Sequence, residues 1–173
     1  ITVPLGVFSL VGTVYACMND TLAKSVVIMY DLDDSSRHAF QNVYDSVLQF
    51  ARCGATWHVG AQGRVYDPKY HAGAGQLINR KRISVDVHDP PYVKTNIATV
   101  RIPLGRKSLY FFPDRILIYT DNGVGAISYN ELGFNIDTTR FVEDGVVPRD
   151  AKVVDHTWQY VNKNGSPDRR FNN

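Results

Sequence analysis

The sequence is poor in the features that would announce a chemistry. Only Cys17 and Cys53 are cysteine among 173 residues. That is too few for a disulfide scaffold, and it places both as reduced, small core residues in a reducing, cytoplasmic setting. Net charge is nearly absent, since 19 Lys and Arg against 17 Asp and Glu leave +2. A balance this close to neutral excludes a wholesale electrostatic grip on nucleic acid, so any basic function must come from local clustering. No repeat of fixed period runs through the chain, which excludes solenoids and propellers. There is no G-x-S-x-G elbow. The glycine-rich residues 71–76 lack the third glycine and the Lys-Ser/Thr ending of a phosphate cradle, and read as a loop. No cofactor is expected, and no complete catalytic constellation is present.

One absence is local. Residues 1–18 carry no charged side chain, but Pro4, Gly6, Ser9, Gly12 and Thr13 interrupt the run. A bilayer span needs about 18–20 apolar positions. The β-branched Val3, Val7, Val11 and Val14 favour extended chain. One or two buried strands are therefore expected, with a membrane helix or its stub as the alternative and residues 1–24 set apart as a peripheral or membrane-proximal segment. No positively charged stretch precedes the run, so it is not a complete signal peptide. The chain does not open on Met and stops in the polar run 169–173. It reads as one domain cut from a longer protein that other regions could tether to a membrane.

What is present suits a globular domain: 44% hydrophobic and 21% charged residues. Residues 26–30 read as a short buried strand, and Asp31, Asp33, Asp34, Ser35 and Ser36 supply helix-starting side chains. A helix near residues 36–52 follows, because Phe40, Val43, Tyr44, Val47, Leu48 and Ala51 fall on one face. Arg52 suits its C-terminal end, and Gly54 is expected to provide a left-handed stop. A strand over residues 55–59 carries Trp57, and residues 60–76 read as a loop. Further strands are predicted over residues 77–88, 97–102, 134–142 and 153–161. The most conspicuous stretch is residues 108–132. It reads as two strands joined by a tight turn at Asp121, Asn122 and Gly123, with both faces largely covered. One helix and about eight strands make an α+β fold of mostly antiparallel sheet, and the early helix disfavours a doubly wound parallel one.

Candidate chemistry lies in three places. Arg80, Arg82, Arg101, Arg106 and Lys107 precede or enter the conspicuous stretch, while Lys163, Arg169 and Arg170 lie in the tail. If the fold gathers them, they form a patch for an anionic ligand such as a phosphate-bearing lipid or nucleotide. Spread along an edge strand, they would only solubilise it. Asp86 and His88, two apart on a strand, share a face and can both ligate a metal, though no further ligand sits at fixed spacing. Cys53 and His58 are separated by the helix end, and Cys53 reads as a buried structural cysteine. In the tail, Asn164 and Gly165 mark a turn, and Asp168 is placed to orient Arg169 or Arg170.

Two stretches carry a resemblance. Residues 110–115, YFFPDR, with residues 125–129, GAISY, and residues 157–163, TWQYVNK, with residues 167–171, PDRRF, resemble an uncharacterised family of bacterial proteins. Its members carry an F-x-P-D-R strand followed by a T-W-x-Y-V-N-K-x-G-x-P-D-R-R-F segment. The similarity covers residues 25–173 and implies a bacterial source and a chain continuing past Phe171, but no mechanism. The hairpin of residues 108–132 is also similar to one in bacterial pleckstrin-homology-like domains. That likeness concerns fold rather than function, and there the helix comes last. The resulting expectation is a non-catalytic module of a larger bacterial protein that binds a partner protein or an anionic ligand. The alternative is a metal-dependent hydrolase or nuclease using Asp86 and His88.

Overall fold

A computed structural model describes residues 13–16, 20, 23–64, 71 and 76–171. In chain order the elements are β1 (Val26–Ile28), α1 (Asp34–Arg52), β2 (Thr56–Arg64), β3 (Gln76–Ile83), β4 (Asp86–Val87), β5 (Val93–Thr95), β6 (Val100–Leu104), β7 (Lys107–Phe111), β8 (Arg115–Thr120) and β9 (Gly123–Ser128). A short 3-10 turn (Tyr129–Glu131) closes the series. The fold is α+β and mostly antiparallel. Strands β4, β6, β7, β8 and β9 form the main sheet in that order, β2 and β3 form a hairpin, and β1 pairs with β5 in parallel.

Helix α1 begins where the acidic cluster allows it. The Asp33 carboxylate accepts the Ser36 N–H at 3.1 Å and so caps the first turn. Its apolar stripe lands on the main sheet. Val100, Phe111 and Ile116 are cross-strand partners in turn, and they form one buried cluster with Val47 of the helix and Val85. Val43, Tyr44 and Leu48 pack around it. The helix meets β4 and β6, and the cluster reaches β8 at Ile116.

The opposite face has a different cover. Tyr110 is buried and meets Tyr119 edge-on at 5.1 Å between ring centroids, with His88 at 6.5 Å. Tyr119 donates its hydroxyl to the Pro91 carbonyl at 2.8 Å, and fully buried Thr99 donates to the His88 carbonyl at 2.7 Å. The segment between β4 and β5 is thereby fastened across the sheet, where each buried hydroxyl has a partner.

A polar knot holds the turn between β7 and β8. Phe112 is 1% exposed, its N–H donates to the Arg115 carbonyl, and its own carbonyl accepts the Tyr129 hydroxyl at 2.7 Å. Tyr30 packs its ring near Phe112 and donates its hydroxyl to Asp114 at 2.8 Å, while Arg115 donates to the same carboxylate. The Asn96 amide both donates to and accepts from the backbone of Tyr30. A side chain therefore continues the β1–β5 ladder beyond its last strand pair.

Several expectations need correction. The stretch 108–132 contains three strands rather than two, because Phe112, Pro113 and Asp114 already turn the chain. Its last strand is not covered, since residues 123–126 are all exposed. Val26 and Val27 of β1 are exposed as well, so this strand is not buried. β2 runs on through residue 64 and β3 begins at Gln76, so the expected loop is shorter. The predicted strand 77–88 is interrupted between Ile83 and Asp86, and β5 went unpredicted. Residues 134–142 form no strand: alternation without a partner strand leaves Phe134 and Ile136 exposed. Of the predicted strand 153–161, only Val161 forms a bridge, to Pro167. Residues 13–16 are helical and exposed rather than extended and buried, and the rest of residues 1–18 lie outside the described residues. So do residues 72–75 of the glycine-rich loop. No helix among the described residues is long and apolar enough to cross a membrane.

Two corrections concern the end of α1. Cys53 is exposed, in the C-cap position, and is not a core residue; Cys17 lies outside the described residues. Gly54 is not a left-handed stop. Its N–H donates to Asp150 at 2.8 Å, and a Cβ there would sit 2.5 Å from an oxygen of that carboxylate. Glycine here admits a close approach of the Asp150 carboxylate rather than a left-handed backbone angle.

Candidate binding surface

Four of the arginines expected in the anion patch have internal partners. Arg80 lies over the Trp57 ring, 4.1 Å from its centroid, and is ion-paired with Glu143. Hydrogen bonding to Arg80 holds the Glu143 carboxyl below its usual range. Arg82 donates to the Gly54 carbonyl at 2.9 Å. Arg101 and Asp86 are direct cross-strand partners and join by two hydrogen bonds, 2.9 and 2.6 Å. In the tail, Arg170 donates twice to Asp168, which is 2% exposed. These four guanidinium groups brace the fold.

Asp86 and His88 are likewise engaged. Both oxygens of Asp86 accept from Arg101, and His88 Nδ1 lies 2.6 Å from the Asp89 carbonyl oxygen. β4 ends at Val87, so His88 already belongs to the covering segment. Among the described residues, no group of three or more His, Cys, Asp or Glu side chains gathers for a metal.

Arg106, Lys107, Lys163 and Arg169 stay at the surface. Lys163 is exposed in the turn where Asn162, Asn164 and Ser166 bond to one another and Gly165 takes φ +80°. Arg169 is exposed beside it. Arg106 lies in the β6–β7 turn and Lys107 opens β7, with Asp121 3.9 Å from Arg106. There the β2–β3 hairpin comes close: the His58 ring is 4.0 Å from where a Gly105 Cβ would stand, and Lys81 is the cross-strand partner of His58. The fold thus adds His58 and Lys81 to a turn that the sequence reading found only in part.

The other open surface is β9. It ends the main sheet, and its six residues, GVGAIS, contain no charge. Natural edges are usually blunted by charge, proline, a bulge or shortness. At the opposite edge, β4 is two residues long and carries Asp86. β9 has none of these devices. Its hydrogen-bonding direction follows from parity. Thr120 and Gly123 close a two-residue turn, and the Ser128 N–H donates to Glu131 rather than to β8. Alternate residues of an antiparallel strand face the same neighbour, so the main-chain groups of Val124 and Ala126 point away from the sheet. No described residue pairs with them. On the face shared with α1, a shallow groove of about 460 Å³ runs along Ile118, Gly125 and Ile127.

No family model, curated protein or solved structure matches this chain.

The phenols behind β9 respond to burial. Tyr129 is pushed up to about 12 by burial and by the nearby Asp114 charge. Tyr30 is raised further, first by burial and then by its bond to Asp114. Burial alone would raise Asp114, but hydrogen bonds from Arg115 and Tyr30 outweigh it and hold the carboxyl below its usual range. These shifts keep the groups in the protonation states that brace the β7–β8 turn.

Proposed function

We propose that this domain is a non-catalytic binding module and that it recognises an extended segment of a partner protein along β9. The observation that carries the reading is the edge itself: an uncharged strand whose main-chain groups at Val124 and Ala126 have no partner among the described residues, beside an apolar groove. Adding a strand to such an edge gives affinity through backbone hydrogen bonds and specificity through alternate side chains. The polar knot under the β7–β8 turn supports this role by holding the hairpin rigid.

The test is selection of extended peptides from a randomised library on the domain, followed by NMR mapping. Bound peptides should protect and shift the amides of Val124 and Ala126, and Val124→Pro should abolish binding without unfolding, since an outward N–H at an edge is dispensable. Peptides that bind elsewhere, or none that bind, would contradict the proposal.

A second reading is favoured by the approach of His58 to Gly105, which places His58, Lys81, Arg106 and Lys107 around one turn. A phosphate-bearing ligand would be held there, not at Arg80, Arg82 or Arg101. Titration with pyrophosphate at low salt should shift the Gly105 and Arg106 amides, and the effect should weaken at high salt and in Arg106→Gln/Lys107→Gln. An unchanged spectrum would remove this reading.

A further inference from the structure

The β9 edge is complementary to itself. We propose that the strand partner of β9 is β9 of a second copy of this chain, paired antiparallel about a two-fold axis through Gly125. The inference rests on β9 being the recognition element and adds the identity of one partner.

Three observations carry it. The first is register. With Gly125 on the axis, Val124 lies opposite the partner's Ala126, and Ala126 lies opposite the partner's Val124. Those are the two residues whose main-chain groups point outward, so both pairs exchange N–H to O=C bonds, about four in all. The pairing ends where the supply of outward groups ends, at the Ser128 N–H already given to Glu131. The second is charge. An antiparallel edge pair brings like residues close around the axis, and here they are Gly, Val and Ala, with none of the repulsion that directly opposed like charges produce. The third is space. Gly125 has nothing within 4 Å of its Cβ position, so two copies approach closely, and the grooves along Ile118 and Ile127 meet across the axis.

The pairing would continue the sheet through a second molecule in an isologous contact, the commonest form of self-association. A strand-to-strand contact this short belongs with interfaces burying less than about 1,200 Å² in total, and dissociation in the micromolar to millimolar range is expected.

The register makes a sharp test possible. Gly125 and the partner's Gly125 form a non-hydrogen-bonded pair, whose Cα atoms stand about 4.5 Å apart, within the range a disulfide bridges. In the full chain with Cys17 and Cys53 replaced by serine, Gly125→Cys should give a disulfide-linked dimer under mild oxidation, while Val124→Cys should not, because two copies of that position are offset along the strand. Gly125→Lys places two ammonium groups on the axis and should raise the dissociation constant in sedimentation equilibrium by about tenfold or more. It is tolerated in the monomer, where the Cβ position is open, and its circular dichroism should be unchanged. A chain that is monomeric at millimolar concentration, with no Gly125→Cys crosslink, overturns self-pairing. A dimer that Gly125→Lys leaves intact also overturns it, by assigning the contact to another surface. If library peptides still protect Val124 and Ala126 in either case, only the identity of the partner is wrong; if they do not, the edge reading falls with it.

Discussion

At the scale of single residues, the fold depends on contacts that composition does not reveal. Gly54 is the clearest. Gly54→Ala forces Asp150 off the Gly54 N–H, and the loss of that hydrogen bond should cost about 1 kcal/mol in denaturant unfolding. Asp150→Ala should cost a similar amount, and the double variant little more, because both remove one interaction. Phe112 is the opposite kind of position, large and fully enclosed. Phe112→Ala should cost about 3–5 kcal/mol. Tyr92 adopts φ +59° at an exposed site ahead of β5, a conformation that costs an L-residue roughly 1–2 kcal/mol. Tyr92→Gly should therefore raise the unfolding midpoint, and a lowered midpoint would show that its ring contributes more than its backbone costs.

The same residues set the pH dependence. Tyr30, Tyr119 and Tyr129 all have phenols raised above the usual value of 10.0. A folded-state value above the unfolded one means that the native state holds its protons more tightly. For Tyr129 the stabilisation is complete below about pH 10 and is lost as pH rises toward 12, and Tyr30 and Tyr119 act in the same direction. Asp33, Asp114 and Glu143 are lowered, so their contribution is present above the usual carboxylate range and is lost as pH falls through the depressed values. Thermal midpoints measured across pH should form a plateau with losses at both ends, and Tyr129→Phe should blunt the alkaline loss.

At the scale of elements, legibility followed period and partner. Helix α1 was legible because its apolar stripe and its acidic start agree, and the structure extends it by two residues at the N-terminal end. The β6–β9 strands were legible as β-structure, but residues 108–132 were read as one hairpin. The Pro-Asp pair after Phe112 is the turn signal that divides them. Phe134 and Ile136 misled because alternation reports a face only when another strand is there to define it. The partners of the basic residues were hidden in a related way. Arg80, Arg82, Arg101 and Arg170 were visible as charges, while Trp57, Glu143, Asp86 and Asp168 became their partners only through folding. Arg80→Ala should thus act on stability, by about 1 kcal/mol, and should leave pyrophosphate titration unchanged. The open edge was written in the sequence as an absence, six residues without charge, and an absence has no period to detect.

At the scale of the whole molecule, a braced centre carries one segment without regular structure and one strand at its edge. Residues 133–159 contain no described strand, and ties to the body include Glu143 to Arg80 and Asp150 to Gly54. Limited proteolysis should cut this segment before the main sheet, and faster in Arg80→Ala. The strand is β9, paired on one side with β8 and on the other with no described residue, which is the combination a docking strand needs. Its main-chain groups are held in place by β8, by the Tyr129 hydroxyl bond behind it and by the Glu131 cap at its end.

The most direct measurement is amide hydrogen exchange at Val124 and Ala126, compared with Gly125 and Ile127 on the same strand. In dilute protein, Val124 and Ala126 should exchange quickly while their neighbours, bonded to β8, are protected. On adding a selected peptide, or on concentrating the protein, Val124 and Ala126 should become protected together. Protection of both in dilute protein, or none in the presence of a bound strand, would contradict the claim that β9 is an open edge built for pairing.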